Sequence, residues 1–303
     1  MTLRARLLPP VCLVLMLALA APAPAAESRG APVGKFQQLG ELLPSPTPQR
    51  NAAGAPGAAY WQNRADYRIE AQLDESTHRL QGRAAITYHN ASPDALTYLW
   101  LQLDPNFFAA DADSRTLAAA PDPAKFPYRT LQELLVAERY ASNLKLRDVK
   151  DAAGRDLTHT VVKTMMRIDL PAPLPPGGKF AFSLAWDYAL NPSDGSAFRT
   201  GYEVFKPDGN ALYVVAQWFP RLAAYTDYTG WQHKQYLGTG EFTLEFGDYD
   251  VSLTVPADHV VAATGTLRNA PEVLSEAQRE RLRRAETATA PVFIVTPDEA
   301  RAA

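Results

Sequence analysis

Residues 217–265 read QWFPRLAAYTDYTGWQHKQYLGTGEFTLEFGDYDVSLTVPADHVVAATG, and the two halves of this run differ in kind. In the second half Phe242, Leu244 and Phe246, and then Tyr249, Val251, Leu253 and Val255, alternate with polar residues. That period of two predicts two strands, each with one buried face. Gly247-Asp248 supplies a turn or bulge between them, and Pro256-Ala257-Asp258 ends the second. The first half has no period. It holds Trp218, Phe219, Tyr225, Tyr228, Trp231 and Tyr236, rings that line an interface or a groove when their N–H and O–H groups find partners there.

The same period recurs upstream. Tyr67, Ile69, Ala71 and Leu73 alternate with polar residues, as do Leu80, Gly82, Ala84, Ile86 and Tyr88, with a joining segment Asp74 to His78. This predicts a hairpin with one wet face. Leu96 to Leu103 is apolar in both phases, as a centrally placed strand would be. Further strands are expected at Leu144–Val149, Thr158–Val162, Met165–Leu170 and Leu212–Gln217, with a rigid turn over Pro171 to Gly178. Phe180, Phe182, Leu184, Trp186 and Tyr188 make the clearest strand of all. Short strands with frequent turn signals predict an all-β fold, a β-sandwich or stack of saddle-shaped sheets. Helices are few: Thr130 to Tyr140, and a run through Arg284 opened by the capping-box pattern Ser275-Glu276-Ala277-Gln278. Pro291–Val295 reads as one more short strand.

The 303 residues carry a net charge of −3, which argues against a nucleic-acid partner. Residues 1–26 have the marks of a signal peptide: Arg4 and Arg6, an apolar stretch from Leu7 to Ala21, and Ala23-Pro24-Ala25 as cleavage site. Export to the periplasm is the expectation, with no membrane association once the signal is removed. Cys12, the one cysteine, lies inside that signal, so the mature chain has no thiol chemistry. Residues 27–62 are rich in Ala, Pro and Gly and read as a linker with too little apolar surface to order itself alone, which Trp61 could pin to the body. The β-domain is placed at residues 63–270, and residues 271–303 form a helix and partial strand.

The order WFPR, a loop ending GW, then YLGTGEF and EFGDYDVSLTVPADHVVAATG resembles the N-terminal β-domain of M1-family zinc metallopeptidases, the aminopeptidase N-like gluzincins. The likeness reaches back to about Tyr67. It implies a saddle-shaped β-domain beside a zinc-dependent catalytic domain, with peptide substrate bound between them. The zinc site of that family needs His-Glu-x-x-His and a later Glu, the Glu beside the first His being the general base. His78, His89, His159, His233 and His259 are the five histidines; none precedes a Glu and no two lie four apart. The family's G-x-M-E-N motif is absent as well. No catalytic and no metal residues are therefore assigned in this chain, and no cofactor is expected in it. Zinc is expected in a catalytic domain that this stretch does not contain.

The resemblance also implies that the β-domain contributes a Gln near the substrate's N-terminal end. Gln217 matches by position only, because the family's P-x-Q arrangement is replaced by a longer aromatic loop. Trp218, Phe219 and Trp231 are the other candidate substrate-binding residues, as a wall of the cleft or of the interdomain contact. Glu245, Asp248 and Asp250 crowd together, but carboxylates on the wet face of a strand do not supply the six or more oxygens of a calcium site. His233 sits in the aromatic run, where an ordinary loop histidine is the default.

Two functions follow. In the first, the chain is the non-catalytic N-terminal domain, and a fragment, of an exported M1-like aminopeptidase, with its own catalytic domain as partner. In the second, it is a stand-alone periplasmic β-sandwich module that binds or scaffolds through the aromatic loop 217–236.

Overall fold

The computed structural model describes residues 46–117, 125, 127, 128, 131, 135, 143–193, 200–238, 240 and 243–302. The expected signal peptide lies outside the described residues, as do Phe242 and, except for Leu131 and Leu135, the helix expected over 130–140.

The chain is built mostly of strands, with few and short helices. In order these are β1 (Arg64–Asp74), β2 (Arg79–His89), β3 (Leu96–Gln102), β4 (Lys145–Asp151), β5 (His159–Val162), β6 (Met165–Leu174), β7 (Lys179–Ala189), β8 (Thr200–Val204), β9 (Ala211–Val215), β10 (Arg221–Leu222), β11 (Tyr225–Thr226), β12 (Gly230–Trp231) and β13 (Tyr249–Thr254). A five-stranded sheet runs β13-β1-β2-β7-β4 and a four-stranded sheet runs β10-β3-β6-β5; β8-β9 and β11-β12 form separate pairs. Every pairing is antiparallel except β1 with β13, which is parallel.

The two larger sheets share one core. Tyr67, Ile69, Ile86, Tyr88, Leu184 and Trp186 of the first are buried against Leu99, Leu101, Met166, Ile168 and Leu222 of the second. The alternation in β1, β2 and β7 predicts this directly, because each strand turns one phase inward. Gly82 interrupts the inward row of β2 where β7 presents Trp186 across the ladder. A Cβ at residue 82 would lie 2.4 Å from the Trp186 ring, which is fully buried and has nowhere to go. The missing side chain is the socket for the indole.

Two expectations about elements need correction. Pro171-Ala172-Pro173-Leu174 belongs to β6 and not to a turn. Beyond Ile168 the strand no longer pairs with β5, so it is an edge there, where the absent proline N–H leaves no ladder bond unmade. The chain turns only at Pro175, where Gly178 N–H donates to Pro175 O. Residues 291–295 form no strand; no sheet edge accepts them, and Arg281 Nε donates instead to Ile294 O. A short helix, Pro297–Ala302, follows. The helix Glu276–Ala285 forms as expected, with Ser275 and Gln278 making both halves of the capping box.

The last residues of the expected linker are docked onto the body. Trp61 stacks on Tyr225 with centroids 5.8 Å apart, and Arg50 pairs with Asp227 at 2.8 Å while lying over the rings of Tyr60 and Tyr228. Polar and aromatic contacts thus order a segment whose apolar content alone predicts no order.

Replacing Gly82 by Ala is expected to lower the urea midpoint by an amount equivalent to about 1–3 kcal/mol, because the methyl group overpacks against Trp186. An unchanged midpoint would show that the indole has room to shift.

Candidate functional site

The stretch 217–255 wraps the open end of the core. It enters at Gln217, whose φ of 55° lies in the left-handed region, a conformation that costs a non-glycine residue on the order of 1 kcal/mol and marks a fixed corner. The next two rings turn inward. Trp218 contacts Trp186 at 6.1 Å and Phe219 at 5.0 Å; Phe219 meets Tyr67 edge-on at 5.6 Å. Arg221 then forms a buried ion pair with Asp104, its Nε 2.9 Å from Oδ2, and reaches Gln102 as well. Burial pushes the Asp104 carboxyl above its ordinary range even with Arg221 beside it. Leu222 N–H donates to the Tyr67 hydroxyl at 2.8 Å.

Trp231 is buried elsewhere, among Tyr88, Tyr98 and Tyr225. The structure therefore brings Gln217, Trp218 and Phe219 together as chain neighbours packed on the core and sets Trp231 against a different set of rings. His233 stacks on Trp100 at 4.9 Å, with Nδ1 2.9 Å from Trp231 O, a satisfied loop histidine. The following residues are clamped to the β5–β6 turn: Gln235 Oε1 accepts from Thr164 N–H and Oγ1, and its amide donates to Val162 O.

The expected strand Phe242–Phe246 with an apolar inner face is not what forms. Glu245 is buried at 8% exposure and Phe246 is 73% exposed. Leu244 and Phe246 make only isolated bridges, to Ala223 and Arg64. The reason lies at Gly247. A Cβ there would sit 1.7 Å from Ala65 O, so the chain passes against β1 instead of turning away. Ala65 N–H donates to Phe246 O and Tyr67 N–H to Asp248 O, both at 2.8 Å. One extended line thus runs through Gly247, and the residues facing inward are Glu245, then Tyr249, Val251 and Leu253, which pair with Tyr67, Ile69 and Ala71. Asp248 and Asp250 are exposed and do not join Glu245, so the carboxylates of EFGDYD converge on no cation.

Glu245 is the functional-looking group that sequence reading misplaced on a wet face. Its Oε1 accepts from Tyr225 N–H at 2.8 Å, and burial raises its carboxyl to about 7 from an ordinary 4.5. The signal for it is faint: a lone acidic residue in the phase shared by Tyr249 and Val251. It fastens the loop bearing Tyr225 and Trp231. Tyr225 in turn donates its hydroxyl to Asp94 at 2.7 Å.

Among the described residues no helix is long and apolar enough to cross a membrane. No family model matches the chain, and no curated protein is similar to it. Among solved structures it is similar to an M1 zinc metallopeptidase from Deinococcus radiodurans. The mutant of that enzyme bound to a Tyr-Ser-Ala substrate superimposes with a TM-score of 0.35 at 15% identity, covering 71% of this chain and 39% of the enzyme. The unmutated enzyme gives 0.35 at 14% identity, with 71% and 38% covered. This chain thus spans less than two fifths of the length of the solved structures it matches.

Because the folded chain holds the Glu245 proton more tightly than the unfolded chain, this group's stability contribution is complete below about pH 4.5 and is lost as pH rises through about 7. The difference in unfolding free energy between Glu245→Gln and the native chain is expected to be small at pH 4.5. It should grow in favour of the glutamine variant to about 3 kcal/mol by pH 8. Parallel pH profiles for the two proteins would show that Glu245 ionises normally.

Proposed function

We propose that this chain is the N-terminal β-domain of an exported, periplasmic M1-like zinc aminopeptidase, and that it has no catalytic residues of its own. In this reading it docks against the catalytic domain and narrows access to the substrate cleft. The carrying observation is a core face that outruns its cover. Tyr249, Val251 and Leu253 continue the inward face of β1 across the parallel ladder, yet they are 48%, 41% and 43% exposed. The four-stranded sheet that buries Tyr67, Ile69 and Ala71 does not extend over β13. Apolar residues on an inner face without a second layer are a surface built to be covered, and among the described residues no strand pairs with the outer edge of β13. The residues involved belong to the run EFGDYDVSLTVPADHVVAATG that carries the family resemblance.

The zinc and its histidine–glutamate motif would come from the catalytic domain, since none of the histidines here has the spacing for it. No step of peptide hydrolysis is assigned to this chain. Gln217 at its fixed corner, with Trp218 and Phe219 behind it, would stand at the edge of the cleft. The stand-alone binding module gains less support, because Trp218, Phe219 and Trp231 spend their area on the core.

The isolated chain is expected to bind a hydrophobic dye and to self-associate with rising concentration in sedimentation. Val251→Lys with Leu253→Lys is expected to reduce both while leaving the circular dichroism unchanged. A monodisperse monomer that binds no dye would remove the basis for a docking face. The intact mass of the native product, detected in its own organism with an antibody to this domain, tests the wider reading. A product about twice this size or larger that carries zinc supports it, and one no larger than this chain rules it out.

A further inference from the structure

We propose that Glu75, Asp258 and His259 form a binding site for a divalent transition-metal ion of the zinc type, which ties the tip of the first hairpin to the turn that follows β13. Each residue offers one ligand atom, and the three atoms lie within 4.8 Å of one another. Asp258 Oδ1 is 3.1 Å from His259 Nδ1. Ligands bound at about 2.0–2.2 Å around one ion sit closer together than 4.8 Å, so at most a small closure of flexible side chains is required.

The topology brings the three together. β1 ends at Asp74 and β13 at Thr254, with Gln72 opposite Thr254. Because the two strands are parallel, both chains leave the sheet at the same end. Glu75 opens the hairpin turn there. The segment Pro256 to His259 folds back, with His259 N–H donating to Pro256 O at 3.1 Å, and this places Asp258 and His259 beside Glu75. The neighbouring polar groups are engaged elsewhere: Asp74 accepts from the hydroxyls of Ser76 and Thr77, and His78 is bonded to the Tyr213 hydroxyl and stacked on Tyr202.

Two features separate this cluster from an ordinary acidic surface. It contains an imidazole, and the imidazole is mostly covered, with Nε2 shut off from solvent and without a hydrogen-bond partner among the described residues. A ring held this way has one nitrogen against a carboxylate and little freedom to reorient. The donor set also selects the ion. One nitrogen and two carboxylates suit zinc and its first-row neighbours, whereas calcium calls for six to eight oxygens. With three protein ligands and Asp258 facing solvent, water would complete the shell. The site is separate from the catalytic zinc of the proposed peptidase and does not depend on that reading.

The test uses the full chain, stripped with a chelator and titrated with zinc chloride by calorimetry, with unfolding temperature followed in parallel. Saturable binding of one zinc per chain is expected, with a higher unfolding temperature when zinc is in excess. Glu75→Gln and His259→Gln should each weaken binding at least tenfold and abolish the temperature rise, whereas His159→Ala, at the distant edge strand β5, should change neither. Circular dichroism confirms folding of each variant, and Asp258→Asn serves if one of them misfolds. Zinc binding that survives both substitutions, or no zinc-dependent shift in the native chain, would overturn the proposal. An equal shift with calcium would overturn the choice of ion.

Discussion

Tyr67 joins the parts of this fold. Its ring lies in the shared core. Its hydroxyl accepts the N–H of Leu222, the residue through which β10 enters the second sheet. One side of the ring stacks on Tyr249 at 4.8 Å, and Phe219 meets it edge-on. A single side chain therefore positions the hairpin, the second sheet, the WFPR corner and β13 relative to one another. Burial raises the Tyr67 phenol far above its ordinary value, although the Leu222 N–H donated to its oxygen works in the opposite direction.

The elements that could be read from the sequence are those whose pattern and partner are local. β1 and β2 form an eleven-residue ladder in the expected phase, β7 completes it, and the Ser275 capping box contains its own partners within four residues. What could not be read depends on distant chain. The phase of Glu245 and Phe246 is set by Ala65, against which Gly247 must pass; periodicity alone places a bulge at Gly247 and turns the wrong residues inward. The prolines of β6 are tolerated because β5 is short, a fact about a neighbouring strand. The apolar run 291–295 has strand character but pairs with no strand among the described residues, and Arg281 bonds its Ile294 carbonyl instead.

In the candidate stretch the sequence shows which residues are aromatic but not how their rings are arranged. In the aromatic run between 217 and 236, Trp218, Phe219, Tyr225 and Trp231 pack on the core, and the short strands β10, β11 and β12 run through a segment whose lack of period predicted none. Which rings serve the core is decided by the socket at Gly82, which holds Trp186 and so determines what Trp218 packs upon. Trp231 is fixed independently, through Tyr88, Tyr98 and Tyr225. Neither constraint has a local signature. The ion pair of Arg221 with Asp104 is similar: both residues are visible in the sequence, but their 117-residue separation is bridged only by the pairing of β10 with β3.

β13 shows how firmly a strand can be held while its face stays open. Its entry is fixed where Gly247 presses on Ala65, its first residue by the stack of Tyr249 on Tyr67, and its length by six register pairs with β1. Its exit turns back toward the hairpin tip, where the His259 ring lies 5.9 Å from that of Tyr213, whose hydroxyl is bonded to His78. A strand anchored at both ends resists the slippage to which exposed edges are prone, so its three apolar side chains are presented in one fixed arrangement. A flexible edge would lose conformational entropy on docking, whereas this one has lost it on folding. The anchoring and the exposure therefore belong together: rigidity at the two ends is what makes an uncovered inner face a specific surface for a second layer.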